Sequence, residues 1–268
     1  MSENAASNVE APLVARRDEA GVVTLTLNRG DRFNPLSAAM IAALEARLDE
    51  VAADRSARVV VLAASGRGFC AGHDLKEMRA RAEDKAWQQK LFTDCSRMMV
   101  KITEIPQPVI ARVHGIATAA GCQLVSACDL AVASSDARFA LPGVNVGVFC
   151  STPAVGVARN IGRKRAMEML LTGELFDAPT ALSWGLVNRV VPLAELDAEI
   201  AKFTGIIVAR SGKVVATGKR AFYKQIEQPV VGAYALTAEA MACSLLEPEA
   251  AEGIDAFVGK RPARWPAP

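Results

Sequence analysis

Short apolar runs alternate with helical patterns along the first half of the chain, and this alternation restricts the fold more than any other property of the sequence. Four runs rich in β-branched and small apolar residues are predicted as strands, at 22–27, 58–63, 109–113 and 130–133. Helical patterns lie between them. Strands that alternate with helices in this way predict an α/β fold.

Two helices are predicted within this α/β part. The first covers about 38–53, where Ser37 is the expected N-cap and apolar residues recur at helical spacing. The second covers about 84–105 and ends before Pro106, which cannot continue a helix. A charged stretch at 76–90 leads into it and is predicted to be a solvated helix.

From Ser151 onward the pattern is mostly helical, with one strand-like run at 186–191. The predicted helices are 153–161, 163–171, 178–184, 193–211, 214–226, 232–246 and 248–259. We therefore divide the chain into a core at 13–200 and a helical C-terminal region at 201–268. The C-terminal region is expected to pack on the core or on another subunit.

The charge balance excludes several classes of partner. The chain of 268 residues carries 31 basic and 29 acidic residues, a formal net charge of +2. This balance gives no reason to expect a nucleic acid or an acidic membrane as partner. No apolar run reaches the length of a membrane span, so no membrane association is predicted.

The cysteines and the sequence motifs indicate which metal sites, cofactors and cellular compartment to expect. The six cysteines show no Cys-x-x-Cys spacing and only two histidines occur, so we expect no metal site and mostly buried, free thiols. Neither a Gly-x-Gly-x-x-Gly nor a P-loop motif is present, so no dinucleotide or other cofactor is expected. The first 20 residues fit neither a signal nor a transit peptide, which predicts a cytoplasmic protein.

Two turns of small residues, at 71–74 and 118–121, follow the strands at 58–63 and 109–113. Glycine permits backbone conformations that direct neighbouring N–H groups into a cleft. Two such N–H groups can hold one oxygen that gains negative charge, as the thioester oxygen of an acyl-CoA enolate does. Each donor of this kind contributes about 2.7–4 kcal/mol in the transition state.

The residues of these turns resemble a known family. FCAGHDL at 69–75, HG at 114–115 and AAGCQL at 119–124 closely resemble the enoyl-CoA hydratase/isomerase (crotonase) superfamily, and the resemblance extends from about residue 22 to 261. It implies a crotonase-like spiral core of repeated ββα units at 13–200, and C-terminal helices at 201–268 that form trimers, often paired into hexamers. The implied ligand is an acyl-CoA thioester, bound as substrate, and the implied activity is that of an enoyl-CoA hydratase, a lyase of fatty acid metabolism.

The resemblance also implies roles for individual positions. The oxyanion-hole N–H groups would be those of His73 and Ala120. Arg32 and Lys76 fall where the family places basic residues near the CoA phosphates, and Phe257 and Lys260 fall near the adenine end. Further residues of the two turns are expected to border the substrate: Ala71, Gly72, Asp74, Leu75 and Gly121.

At two positions this sequence differs from the catalytic acid–base pair of the family's hydratases. Family hydratases use two glutamates, and the matching positions here hold Gln123 and Gly143. General acid–base groups typically supply about 10²–10⁴-fold each, so water addition is expected to be impaired. The candidates to replace them are His73, Asn145 and Cys150.

Three functions therefore stay open. One is a crotonase-type enzyme classed as an enoyl-CoA hydratase. Another is an acyl-CoA decarboxylase or thioesterase, since AGHD at 71–74 also resembles methylmalonyl-CoA decarboxylase, although that family has a tyrosine near the position of Cys150. The third is a catalytically weak acyl-CoA-binding protein.

Overall fold

A six-stranded sheet lies at the centre of the computed structural model, which describes residues 11–266. Its strand order is β1-β2-β3-β4-β6-β9, and β5-β7-β8 form a second, three-stranded sheet. The strands are β1 Val14–Glu19, β2 Val22–Leu27, β3 Val59–Ala64, β4 Val109–Val113, β5 Ala117–Thr118, β6 Leu130–Ser134, β7 Arg138–Ala140, β8 Phe176–Asp177 and β9 Arg189–Val191. In the large sheet only the β1–β2 pair is antiparallel.

Helices connect the strands and dominate the C-terminal third. They are α1 Ala38–Ala53, α2 Leu75–Ala80, α3 Lys85–Glu104, α4 Ala120–Ala127, α5 Ser151–Asn160, α6 Arg163–Thr172, α7 Ala178–Trp184, α8 Leu196–Val208, α9 Gly212–Gln225, α10 Val230–Leu245 and α11 Pro248–Val258. Short 3-10 turns occupy Gly30–Arg32, Pro142–Val146 and Leu193–Glu195.

Strand β3 is buried along its whole length because helices cover both faces of the sheet. Val60 and Leu62 face the main core, whereas Val59 and Val61 face a smaller cluster that α8 covers. Buried parallel strands read as continuous apolar runs for this reason. The sheet is thus a rigid base whose strand ends can hold loops in fixed positions.

The prediction for α1 is confirmed: the helix begins and ends where expected, and the Ser37 hydroxyl accepts the Met40 N–H at 3.1 Å. The charged stretch at 76–90 is not one helix. It is split between α2 and α3, because the Asp84 carboxylate accepts the Trp87 N–H at 2.9 Å and caps a new helix there. All six cysteines are free, and only Cys243 is exposed.

The C-terminal helices carry much exposed apolar surface. Leu246 is 87% exposed and Phe257 is 86% exposed. Across the described residues no single helix is long and apolar enough to span a membrane. Helices α10 and α11 together reach that length and apolar composition, but a bend of 72° separates them. Helix α8 crosses residue 200 and packs on the sheet through Leu196 and Ile200. The division at residue 200 stays a prediction.

Candidate functional site

The turn after β3 is held from two sides by backbone hydrogen bonds. Ala71 N donates to Phe33 O at 2.9 Å, and Leu36 N donates to Gly72 O at 2.8 Å. On the other side, Thr118 N donates to Cys70 O at 3.0 Å. The two turns predicted from the sequence therefore lie side by side at the carboxyl ends of β3 and β4.

Gly72 allows this close approach. It has φ of +93°, and a Cβ added there would lie 2.9 Å from Ala119 Cβ and 3.2 Å from Ala120 N. Ala119 itself has φ of 50° and ψ of −120°, an unusual conformation for a residue with a side chain. Strained backbone of this kind is typical of functional sites, and here it sets the direction of the first amide of α4.

The amides of His73 and Ala120 are both available for a ligand. In the described structure neither N–H donates a hydrogen bond to the protein. Ala120 is the first residue of α4, where helix geometry leaves N–H groups unpaired. Both residues border the same cleft. This arrangement suits one oxygen that becomes negatively charged.

The cleft has a volume of about 430 Å³ and a mostly apolar lining. The lining residues are Ala71, His73, Leu75, Met78, Phe92, Ala119, Ala120, Pro142, Gly143, Asn145, Val146, Val148, Phe149, Cys150, Ser151, Thr152 and Pro153. Aspartate and glutamate do not occur in this set. The groups able to exchange a proton there are the His73 imidazole and the Cys150 thiol.

Burial lowers the pKa of His73 to about 4, so the ring is neutral at neutral pH. The ring packs edge-on against Phe92, with 5.2 Å between ring centroids. Its Nε2 atom is buried and has no hydrogen-bond partner among the described residues. His73 thus brings a neutral imidazole to the cleft as well as its backbone amide.

Gly143 has no room for a side chain. Its N–H donates to Cys150 Sγ at 3.3 Å, and a Cβ at this position would lie 2.7 Å from Val148 O and 2.9 Å from Cys150 Sγ. Burial raises the pKa of the Cys150 thiol, which keeps the sulfur protonated and a poor nucleophile. Position 143, where the resemblance predicts the family's second glutamate, therefore has no space for a side chain in this fold.

Gln123 lies on α4, three residues after Ala120, and is 5% exposed. Its Oε1 is buried and has no partner within the described part of the chain. Gln123 is absent from the lining residues of the cleft. Asn145 does border the cleft, and its Nδ2 donates to Gly173 O at 3.3 Å, which connects the 3-10 turn at 142–146 to the end of α6.

Other turn residues shape the site without facing the cleft. The Asp74 carboxylate accepts the N–H groups of Lys76 and Glu77 at 2.9 and 3.2 Å and so caps α2. Gly121 is required by packing, since a Cβ there would lie 2.0 Å from Cys70 O. Of the turn positions predicted to border the substrate, the structure brings Ala71 and Leu75 to the cleft.

The positions predicted to meet the CoA phosphates and adenine lie outside the cleft. The Arg32 guanidinium is exposed and approaches the Asp31 carboxylate at 3.5 Å. Lys76, Phe257 and Lys260 are also exposed. Their roles stay predictions.

Asn34, a residue that the sequence did not mark as part of the site, is fully buried and connects three segments. Its Nδ2 donates to the carbonyl oxygens of Ser65, Gly68 and Phe69 at 2.9, 3.0 and 3.2 Å. Its Oδ1 accepts the Arg29 N–H at 2.8 Å. The turn cluster at 28–35 pointed to the segment, but the long-range partners of a side chain are not visible in a sequence.

Comparison with known proteins shows the family of the chain. The family model described as Enoyl-CoA hydratase/isomerase matches residues 17–268. The mitochondrial enoyl-CoA hydratase domain-containing protein 3 of Mus musculus is 43% identical over 261 residues, which cover 97% of this chain and 87% of the relative. The Homo sapiens relative of the same name is 44% identical over 245 residues, which cover 91% of this chain and 80% of the relative.

Solved structures show the same fold. A Mycobacterium smegmatis enoyl-CoA hydratase aligns with a TM-score of 0.93 at 56% identity, covering 95% of this chain and 99% of that one. Human enoyl-CoA hydratase domain-containing protein 3 aligns with a TM-score of 0.92 at 43% identity, covering 94% of this chain and 100% of that one. The α/β crotonase-like fold and the family resemblance predicted from the sequence are confirmed, whereas trimer formation by the C-terminal helices stays a prediction.

The predicted cytoplasmic location is wrong by the same comparison, because these curated relatives are named as mitochondrial proteins. The prediction rested on the composition of the first 20 residues. Targeting segments are recognised by receptors and contribute nothing to the folded core. The fold therefore does not indicate the cellular compartment.

Proposed function

Because the chain belongs to the enoyl-CoA hydratase/isomerase family, we propose that it binds an acyl-CoA thioester and stabilises its enolate between the amides of His73 and Ala120. The observation that carries this proposal is the pair of N–H groups without protein partners, at one cleft. An enolate places negative charge on the thioester oxygen, and each amide stabilises it by about 2.7–4 kcal/mol.

The lining of the cleft limits the reactions that an enolate can enter. Hydration of an enoyl thioester needs a group that removes a proton from water and a group that delivers one. The neutral His73 imidazole is the single basic group in the lining, since the thiol of Cys150 has a raised pKa. We infer that the protein is formally an enoyl-CoA hydratase-type lyase with slow hydration.

Decarboxylation of a 2-carboxyacyl-CoA is the second candidate, and the absence of acidic residues from the lining favours it. A substrate carboxylate meets no repelling carboxylate there, and Ser151 and Thr152 offer hydroxyl groups. The bond between C2 and the carboxylate breaks, CO₂ leaves, and the electron pair forms the enolate. A water proton then adds to C2, and the hydroxide left behind combines with CO₂ to give bicarbonate, so no strong base is required.

A thioesterase that uses the Cys150 thiol as nucleophile is disfavoured, because burial raises the pKa of this thiol and makes it a poor nucleophile. We also propose that Arg32 and Lys76 meet the CoA phosphates and that Phe257 and Lys260 approach the adenine. The exposed apolar surface of α10 and α11 supports a homotrimer or hexamer, since exposed apolar patches mark interaction sites.

The test uses the purified full chain with crotonyl-CoA, malonyl-CoA and methylmalonyl-CoA, together with calorimetric titration of acetyl-CoA. We expect saturable thioester binding, slow hydration, and faster CO₂ release from a 2-carboxyacyl thioester. Binding without turnover of any thioester would identify an acyl-CoA-binding protein instead. If no thioester binds, the proposal is wrong.

A further inference from the structure

A second cleft, of about 560 Å³, lies at the edge of the sheet opposite the thioester cleft. It is bordered by the end of α1, by the residues that precede β3 and β4, and by the first turns of α9 and α11. The two clefts share no lining residue. A ligand bound here would be independent of the thioester function proposed above.

Three side chains that border this polar cleft have buried atoms without a hydrogen-bond partner among the described residues: Arg58 Nε, Gln107 Oε1 and Glu249 Oε2. Gln107 is 6% exposed and Glu249 is 8% exposed. Buried polar atoms are nearly always paired, and each unpaired one costs about 1–3 kcal/mol. Three such atoms around one cleft point to a ligand that meets them.

The orientation of the Gln107 amide is fixed by its other end. Its Nε2 donates to Val51 O at 2.8 Å and to Asp54 O at 3.3 Å, where α1 ends. Rotating the amide by half a turn would place an oxygen against these two carbonyl groups. Gln107 therefore offers its Oε1 as a hydrogen-bond acceptor.

The Glu249 carboxylate is a second acceptor, and its charge is poorly balanced by the protein. Its nearest cation is Lys213, whose Nζ lies 3.8 Å from Oε2. The same Nζ lies 2.5 Å from the Glu247 carboxylate, and this ion pair keeps it away from Glu249. A buried carboxylate without hydrogen bonds is unfavourable unless a cationic donor reaches it.

The opposite charge is available in the same cleft. Arg58 donates through Nη2 to Arg210 O, which leaves Nε–H as a free buried donor. Arg55 and Lys213 add two further positive charges to the lining. The cleft thus combines acceptors for a cation with donors for an anion.

We propose that the polar cleft binds a small amino-acid-like zwitterion, whose ammonium group donates to Glu249 and Gln107 and whose anionic group accepts from Arg58 and Lys213. A simple anion would lie beside the Glu249 carboxylate without compensation. A metal ion would find the side-chain oxygens of Gln107 and Glu249, since the Asp54 carboxylate in the lining already accepts from Arg16 and Ser56. The lining also carries three cations, so this is a poor donor set for Mg²⁺ or Ca²⁺.

The experiment titrates β-alanine and γ-aminobutyrate into the full chain by calorimetry, in the absence of any CoA thioester. Butyrate and butylamine are the matched probes that carry one charge each. We expect saturable binding of at least one zwitterion and no saturable binding of either control compound. Because no thioester is present, failure of the proposed acyl-CoA function would leave this result unchanged.

Glu249→Gln should weaken zwitterion binding by about tenfold or more, since a charge-assisted hydrogen bond is lost. Asp255→Asn makes the same charge change on an exposed part of α11 and should leave binding unchanged. Lys213→Met serves as a second variant, at an exposed side chain whose ion pair with Glu247 is also exposed. Absence of zwitterion binding, equal binding of butylamine, or unchanged binding in both cleft variants would overturn the proposal.

Discussion

The amide of Gly143 donates to the sulfur of Cys150 at 3.3 Å, so the thiol fills the space that a side chain at position 143 would enter. The packing of the 142–150 turn therefore leaves no room for a side chain at position 143, where the resemblance predicts the family's second glutamate. A carboxylate at this position would require the turn to open.

Gly143→Ala should destabilise the protein by about 1–3 kcal/mol, because the new methyl group overpacks against Val148 O. Gly205→Ala is the matched control, since that glycine lies within α8 with open space around it. The control should be neutral or slightly stabilising. Urea unfolding of both variants gives the comparison, and equal stabilities would contradict the closed turn.

Gly72→Ala should reduce turnover of the best thioester substrate by about 10²-fold or more, a loss comparable to removal of one oxyanion donor. The methyl group would lie 2.9 Å from Ala119 Cβ and displace the Ala120 amide, and alanine is strained at φ of +93°. Steady-state kinetics should show the loss in kcat more than in KM. An unchanged kcat would mean that the two turns do not form the oxyanion hole.

Titration of His73 should make the protein less stable as the pH falls from about 6.5 towards 4. The folded-state pKa is about 4 and the ordinary value is 6.5, so the unfolded chain binds more protons in this range and unfolding is favoured. The loss can reach about 3 kcal/mol, at 1.36 kcal/mol per pKa unit.

His73→Gln removes the titrating group, so its unfolding free energy should fall less between these two pH values. Urea denaturation at several pH values measures the difference between the two proteins. Parallel pH profiles for the variant and the unmodified chain would refute the assignment of a depressed pKa to His73.

Asn34→Asp should destabilise the protein and lower kcat/KM, even though it is nearly isosteric. The carboxylate keeps the acceptor for Arg29 N–H but places an oxygen against the carbonyl groups of Ser65, Gly68 and Phe69. Leaving buried groups unpaired costs about 1–3 kcal/mol each. Thermal unfolding and kinetics of Asn34→Asp and Asn34→Ala should both show losses, and a fully active Asn34→Asp would exclude this positioning role.

Lys219→Met should destabilise the protein by about 3–5 kcal/mol, because it leaves a buried carboxylate without its cation. The Lys219 Nζ donates to Asp129 Oδ2 at 2.7 Å and to the carbonyl oxygens of Ile102 and Gln107 at 2.8 and 2.9 Å. The double variant Lys219→Met with Asp129→Asn should recover part of the loss. A double variant no more stable than the single one would show that charge pairing contributes little here.

The sequence predicted most accurately those features of the backbone that depend on neighbouring residues, such as helix caps and tight turns. The cap at Ser37 and the helical spacing after it predict α1 to the residue. The small residues of the turns at 71–74 and 118–121 predicted a close approach of backbone, because close backbone contacts exclude larger side chains. These features depend on residues that are near one another in the chain.

The features that the sequence did not reveal depend on distant contacts. Strand β1 has three exposed residues, so it lacks the apolar pattern of a core strand and is defined by its partner β2. The closure at Gly143 arises from a turn that folds back on itself, and the polar cleft unites side chains from four distant segments. Sequence spacing contains no measure of these distances.

Gly72 and Ala119 lie so close that a Cβ on Gly72 would be 2.9 Å from Ala119 Cβ, whereas most residues that line the cleft lie in a different segment, 142–153. Substitutions in the 142–153 segment can therefore change the lining of the cleft without touching the packing of the two turns. If the two turns form the proposed oxyanion hole, protein engineers can introduce new acids or bases in this segment and keep the same amide pair.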